Sequence, residues 1–80
     1  MFGIGKNKSK HSELESIVEK TRMYMSNNYK DAARDSFALL KETYGALKSK
    51  GLLKQAQIDN YENIIGELSV KLEKFSHKQM

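Results

Sequence analysis

The sequence predicts an all-α chain: an antiparallel three-helix bundle, with helices over about residues 12–27, 29–50 and 54–76 behind a flexible basic N-terminal tail. Three observations predict it. The 80 residues contain no proline and are rich in Lys, Glu, Leu and Ala, a composition that favours helix. Apolar residues recur at intervals of three and four in three successive blocks. Two points of punctuation, Asn27–Asn28 and Gly51, separate those blocks. The expected organisation is a basic leader over residues 1–11 and one helical domain over residues 12–80.

The first helix opens on "SELE" at residues 12–15, which has the form of a capping box. In that motif the Ser12 hydroxyl accepts from the Glu15 amide and the Glu15 carboxylate reaches back to the Ser12 amide. Leu14, Ile17, Val18, Thr21, Tyr24 and Met25 follow, one stripe on a 3.6-residue period. Asn27 and Asn28 are then expected to break the helix, because Asn tolerates the left-handed conformation that ends helices. Asp31 suits the first turn of the next.

The second helix carries two adjacent rows. Ala33, Phe37, Leu40, Tyr44 and Leu47 recur at spacings of four and three, the seam of a coiled coil. Ala32, Ser36, Leu39, Thr43 and Ala46 lie beside them at the same spacing. A helix with two such rows contacts two neighbours, as the middle helix of a bundle does. "LKSKGLL" supplies the stop, with Gly51 in the left-handed position and Leu52 folding back on Leu47.

The third helix shows one narrower seam: Ile58, Tyr61, Ile65, Leu68, Leu72 and Phe75, with Ile64 at its edge and Val70 pointing away. So short a turn makes helices 2 and 3 antiparallel neighbours. At 1.5 Å per residue each is roughly 30–35 Å long, against about 24 Å for helix 1, so part of the hairpin is expected to stay uncovered. The alternative, should Asn27–Asn28 remain helical, is a long helical hairpin that dimerises to bury its seams.

"NNYKDAARDSFALL" resembles the helix–corner–helix signature of tetratricopeptide repeats, and that of the three-helix microtubule-interacting and transport domains. Tyr29, Ala32, Ala33 and Phe37 carry the likeness, which covers residues 27–40 and is one of packing chemistry. Lys20, Met23 and Tyr24 stand where those families place small residues, and no 34-residue repeat follows. The resemblance implies a groove that takes an amphipathic helix.

Of the net charge of +4, residues 1–10 hold +3, from Lys6, Lys8 and Lys10 with no acid. Residues 11–80 carry the remaining eleven basic and ten acidic side chains, interspersed as on an ordinary solvated surface. In the leader the apolar Phe2 and Ile4 precede the lysines, the reverse of an export signal. Position 2 is not glycine, so no myristoyl site is expected. With no apolar run of 18 residues, no membrane span is expected either, and the chain reads as a small soluble, cytoplasmic protein. Lys6, Lys8 and Lys10 are the candidate contacts to phosphates or an anionic membrane surface.

Little in the sequence carries catalytic chemistry. Cysteine is absent, and His11 and His77 lie near opposite ends. Asp31 and Asp35 stand four apart with no histidine partner, and no glycine-rich phosphate loop is present. No enzyme activity, metal or cofactor is expected. Tyr24, Phe37, Tyr44, Tyr61 and Phe75 fall on the seams and read as core before they read as a stacking platform for bases. Lys54, Gln55, Gln57 and Asn60 are residue types that read base edges, but Asp59 and Glu62 beside them would face phosphate. Gly45 and Gly66 sit on polar sides, where glycine is either tolerated or admits another helix at close range.

The function expected is a non-catalytic protein–protein interaction or self-association module, possible as a homodimer. Its candidate partner-helix surface is Ala32, Ser36, Leu39, Thr43, Ala46 and Ile64. The alternative is weak nucleic-acid or anionic-membrane association through the basic tail.

Overall fold

A computed structural model describes residues 9–77, with side chains through Lys74. Lys6 and Lys8 lie outside the described residues, and the side chain of Phe75 lies outside those described. Three helices form: α1 (Ser12–Ser26), α2 (Lys30–Ser49) and α3 (Gln55–His77), with no strand among the described residues. α1 packs on α2 and α2 on α3, the three-helix bundle the sequence predicts. The body measures 43 × 31 × 16 Å across its Cα atoms.

The seams meet where their periods put them. α1 buries Leu14, Ile17, Val18 and Thr21; α2 buries Ala33, Phe37, Leu40 and Tyr44; α3 buries Tyr61, Leu68 and Leu72. Full burial of one such apolar side chain is worth about 1.5–3 kcal/mol, so these residues dominate the folding free energy. Ile58, Ile64 and Ile65 are half-buried, and Val70 faces solvent as its register requires. Two hydroxyls share the α1–α2 seam. The Thr21 hydroxyl donates to the Ile17 carbonyl at 2.8 Å and lies 2.7 Å from the Ser36 hydroxyl, so both buried groups are satisfied.

Both interhelical turns use one device. Asn28 has φ 64°; its amide donates to the Met25 carbonyl, and the Tyr29 amide donates to the Tyr24 carbonyl at 2.8 Å. Gly51 has φ 73°; its amide donates to Lys48, and the Leu52 amide donates to Leu47 at 2.9 Å. Each is a Schellman closure, with one left-handed residue reversing the chain. The break at Asn27–Asn28 is therefore made, and the long-hairpin alternative does not occur.

The predicted capping box at Ser12 is a correction. His11 is the N-cap of α1 in extended conformation (φ −123°, ψ 127°), with no side-chain cap bond. Because the Glu15 amide donates to the His11 carbonyl at 2.7 Å, Ser12 is already inside the helix and one residue out of register for the motif. The Glu15 carboxylate instead accepts from the Tyr61 hydroxyl at 2.7 Å.

Candidate interaction surface

The α2 row that the sequence singles out does not form one continuous exposed face. Its angular position sets it beside the seam on the α1 side. Ser36 is buried against Thr21; Ala32 and Thr43 are half-buried; Leu39 is 50% exposed and Ala46 is exposed. Ile64, on α3, is half-buried against the core. Ala32, Ser36 and Leu39 are brought together in a groove of about 300 Å³, whose other wall is Lys20 and Tyr24 of α1, with Asp35 on the α2 rim. Thr43, Ala46 and Ile64 do not line it.

Tyr24, on the groove wall, packs against Tyr29. Their rings lie 6.3 Å apart at 45°, which is the apolar contact a Schellman closure makes between the last turn of the helix and the residue after the reversal. Tyr29 is nonetheless 58% exposed. Leu39, on the α2 wall, is 50% exposed, so Tyr29 and Leu39 place two large, half-uncovered apolar side chains at or next to the groove. Sequence periodicity found Leu39 and Tyr24, but not that they share a groove, nor Lys20 beside them. Tyr24 is on the α1 stripe and Lys20, four residues before it, lies at the stripe's edge, and only the antiparallel register of α1 on α2 brings them opposite Ala32 and Asp35.

A second groove, of about 390 Å³, lies between α1 and α3 and is lined by Arg22, Met25, Ser26, Leu68 and Lys71. Its charges are paired within the chain: the Glu67 carboxylate meets Arg22 at 3.6 Å and Lys71 at 3.3 Å.

At the opposite end, side chains of α3 hold the stretch before α1. The Asn60 amide donates to the Ser9 carbonyl at 2.7 Å, and the Gln57 amide donates to the Lys10 carbonyl at 2.9 Å. The His11 amide donates to the Tyr61 hydroxyl at 3.0 Å. Ser9, Lys10 and His11, grouped with the basic leader by composition, are thus held on the first turns of α3. Lys10 keeps an exposed side chain. Gln57 acts twice, since its carbonyl oxygen also accepts the Lys54 amide at 2.7 Å and caps α3. Gln57 and Asn60 are therefore engaged with main chain, and Gln55 donates to Asp59 at 2.9 Å. Three of the four residue types that suggested base reading hold the fold instead.

Burial pushes the Tyr61 phenol up to about 12; the His11 amide opposes this and the Glu15 carboxylate adds to it. Tyr44 is likewise pushed up to about 12, first by burial and then by the Glu62 carboxylate, to which its hydroxyl donates at 2.8 Å. The same hydrogen bond, and then Lys48 at 3.5 Å, hold the exposed Glu62 carboxyl below its usual range. These tyrosines have structural partners. Asp31 faces Arg34 at 3.9 Å, and no group of three His, Asp or Glu side chains able to hold a metal occurs among the described residues. No described helix is long and apolar enough to cross a membrane. A Cβ built at Gly45 or Gly66 meets nothing within 4 Å, so neither glycine admits a close helix among the described residues.

No protein-family model matches this chain, and no curated protein or solved structure matches it significantly. The surface must therefore be read from its own chemistry.

Proposed function

We propose that this chain is a non-catalytic helical module that binds a partner protein through the α1–α2 groove. The observation that supports the reading is the juxtaposition of Tyr24, Ala32 and a half-exposed Leu39 in one groove, with an uncovered Tyr29 against Tyr24. An amphipathic helix presents apolar side chains at spacings of three and four, and a shallow apolar groove between two helices is the receptor such a helix needs. Leu39 is the residue to change, because a half-exposed position tolerates charge without unfolding the bundle. Leu39→Glu is expected to abolish capture of proteins that the wild type retains, while Val70→Glu, at an equally exposed site on α3, leaves capture intact. Quantitative mass spectrometry of both eluates decides the matter: identical profiles for Leu39→Glu and wild type reject the groove.

A second reading is favoured by charge. Three of the lysines that make the protein basic fall within residues 1–10, and such a stretch associates with phosphates or anionic lipid at low salt. Deleting residues 1–8 should then remove binding to phosphatidylserine vesicles or to duplex DNA; undiminished binding rejects it.

A further inference from the structure

We infer that the occupant of the α1–α2 groove is a second copy of this chain, related by a two-fold axis through the groove floor, with Lys20 of each copy against Asp35 of the partner subunit. The inference rests on the groove being the interaction surface and adds who fills it. A two-fold interface must be complementary to itself, since one patch serves both sides. This groove has that property. Lys20 stands on its α1 wall and Asp35 on its α2 rim, with the apolar floor of Tyr24, Ala32 and Leu39 between them. Rotation by half a turn about the floor lays α1 of one copy over α2 of the other, which brings each positive rim onto a negative one and Leu39 towards Leu39.

The contrast with the α1–α3 groove strengthens the point. There the rim cations Arg22 and Lys71 are both taken up by Glu67. Among the described residues Lys20 and Asp35 make no ion pair, although both line one groove. The exposed apolar side chains follow the same division: Leu39 lines the α1–α2 groove and Tyr29 stacks on Tyr24 of its wall, whereas Leu52 lies in the second turn and Val70 alone on α3. Opposite charges across such an interface steer association and fix its register more than they add affinity, so their reversal is diagnostic.

Sedimentation velocity on the full chain tests this. The wild type should sediment as a dimer at about 100 µM and dissociate on dilution. Lys20→Glu and Asp35→Lys, each checked for wild-type helicity by circular dichroism, should each weaken association about tenfold, more steeply at low salt. Mixing these two variants should restore the dimer, because one pair then sets Glu at 20 against Lys at 35 and the other keeps Lys20 against Asp35; the double variant in one chain, with the reversed pair on both sides, should restore it also. A wild type that stays monomeric at that concentration overturns the second copy as occupant while leaving the groove itself to the Leu39→Glu capture experiment. A dimer that neither reversal weakens, or that mixing fails to restore, overturns the two-fold register. Should either reversal lose helicity, Lys20→Gln and Asp35→Asn serve in its place, and unchanged association with both removed has the same overturning force.

Discussion

A phenol with no solvent beside it must find its hydrogen bonds inside the protein, and Tyr61 finds them 46 and 50 positions away, at Glu15 and His11. Tyr61→Phe leaves the ring in place and strands the His11 amide and one Glu15 oxygen, so it should cost about 1–3 kcal/mol in a urea titration and speed amide exchange at His11. Tyr44→Phe should cost less, about 0.5–1 kcal/mol, because Glu62 is exposed and water replaces its partner. A second residue-level test concerns the hydroxyl pair on the α1–α2 seam. Thr21→Val alone takes from Ser36 its 2.7 Å partner and should cost about 1 kcal/mol. Ser36 then keeps only its long 3.5 Å bond to the Ile17 carbonyl, and adding Ser36→Ala removes that under-satisfied hydroxyl, so the double variant should be more stable than additivity predicts, with a coupling of about 0.5–1.5 kcal/mol in a double-mutant cycle.

Each helix boundary tests how far local rules reach. Gly51→Ala meets no steric obstacle, so its cost is that of the left-handed backbone alone, about 1–2 kcal/mol. Asn28→Gly, at φ 64°, should instead be neutral or stabilising by up to about 1 kcal/mol. Thermal melts of the two variants should shift in opposite directions, and a Gly51→Ala protein as stable as wild type would remove the Schellman account of the turn. Both reversals were legible in the sequence, because a left-handed residue and its hydrogen bonds lie within six positions of one another. The start of α1 was not. "SELE" satisfies the local motif, but a tyrosine from another helix gives the His11 amide an acceptor and the Glu15 carboxylate a donor, and no local pattern records a partner 46 residues off. The capping logic reappears at Lys54 and Gln57, where the sequence has neither Ser nor Thr to advertise it.

For the molecule as a whole, the two raised phenols set an alkaline limit. A phenol with folded value near 12 and ordinary value near 10 holds its proton more tightly when folded, so its contribution is fully present below pH 10. It is lost as pH rises from 10 through 12. Unfolding followed by circular dichroism should fall in that window, and Tyr61→Phe should make the fall shallower. Glu62 works in the opposite direction: its carboxyl is held low, so its contribution is present above the ordinary carboxylate range and lost as pH falls through the folded value. The bundle was legible because its seams are long and regular. The groove was half legible, since Tyr24, Ala32, Ser36 and Leu39 announce themselves by spacing, whereas Lys20 and Asp35 join them, and Tyr24 meets the α2 row, only once α1 lies antiparallel on α2.

One planar group at the far end couples two events that the chain separates by more than forty residues. Gln57 grips Lys10 with its nitrogen and Lys54 with its oxygen. Tension applied to the amino-terminal end is thereby delivered straight to the opening turn of α3, and fraying of that turn slackens the grip in return. Anything that tugs on the lysines ahead of Ser9 therefore loads the first turns of the third helix, through Asn60 at Ser9 and Gln57 at Lys10.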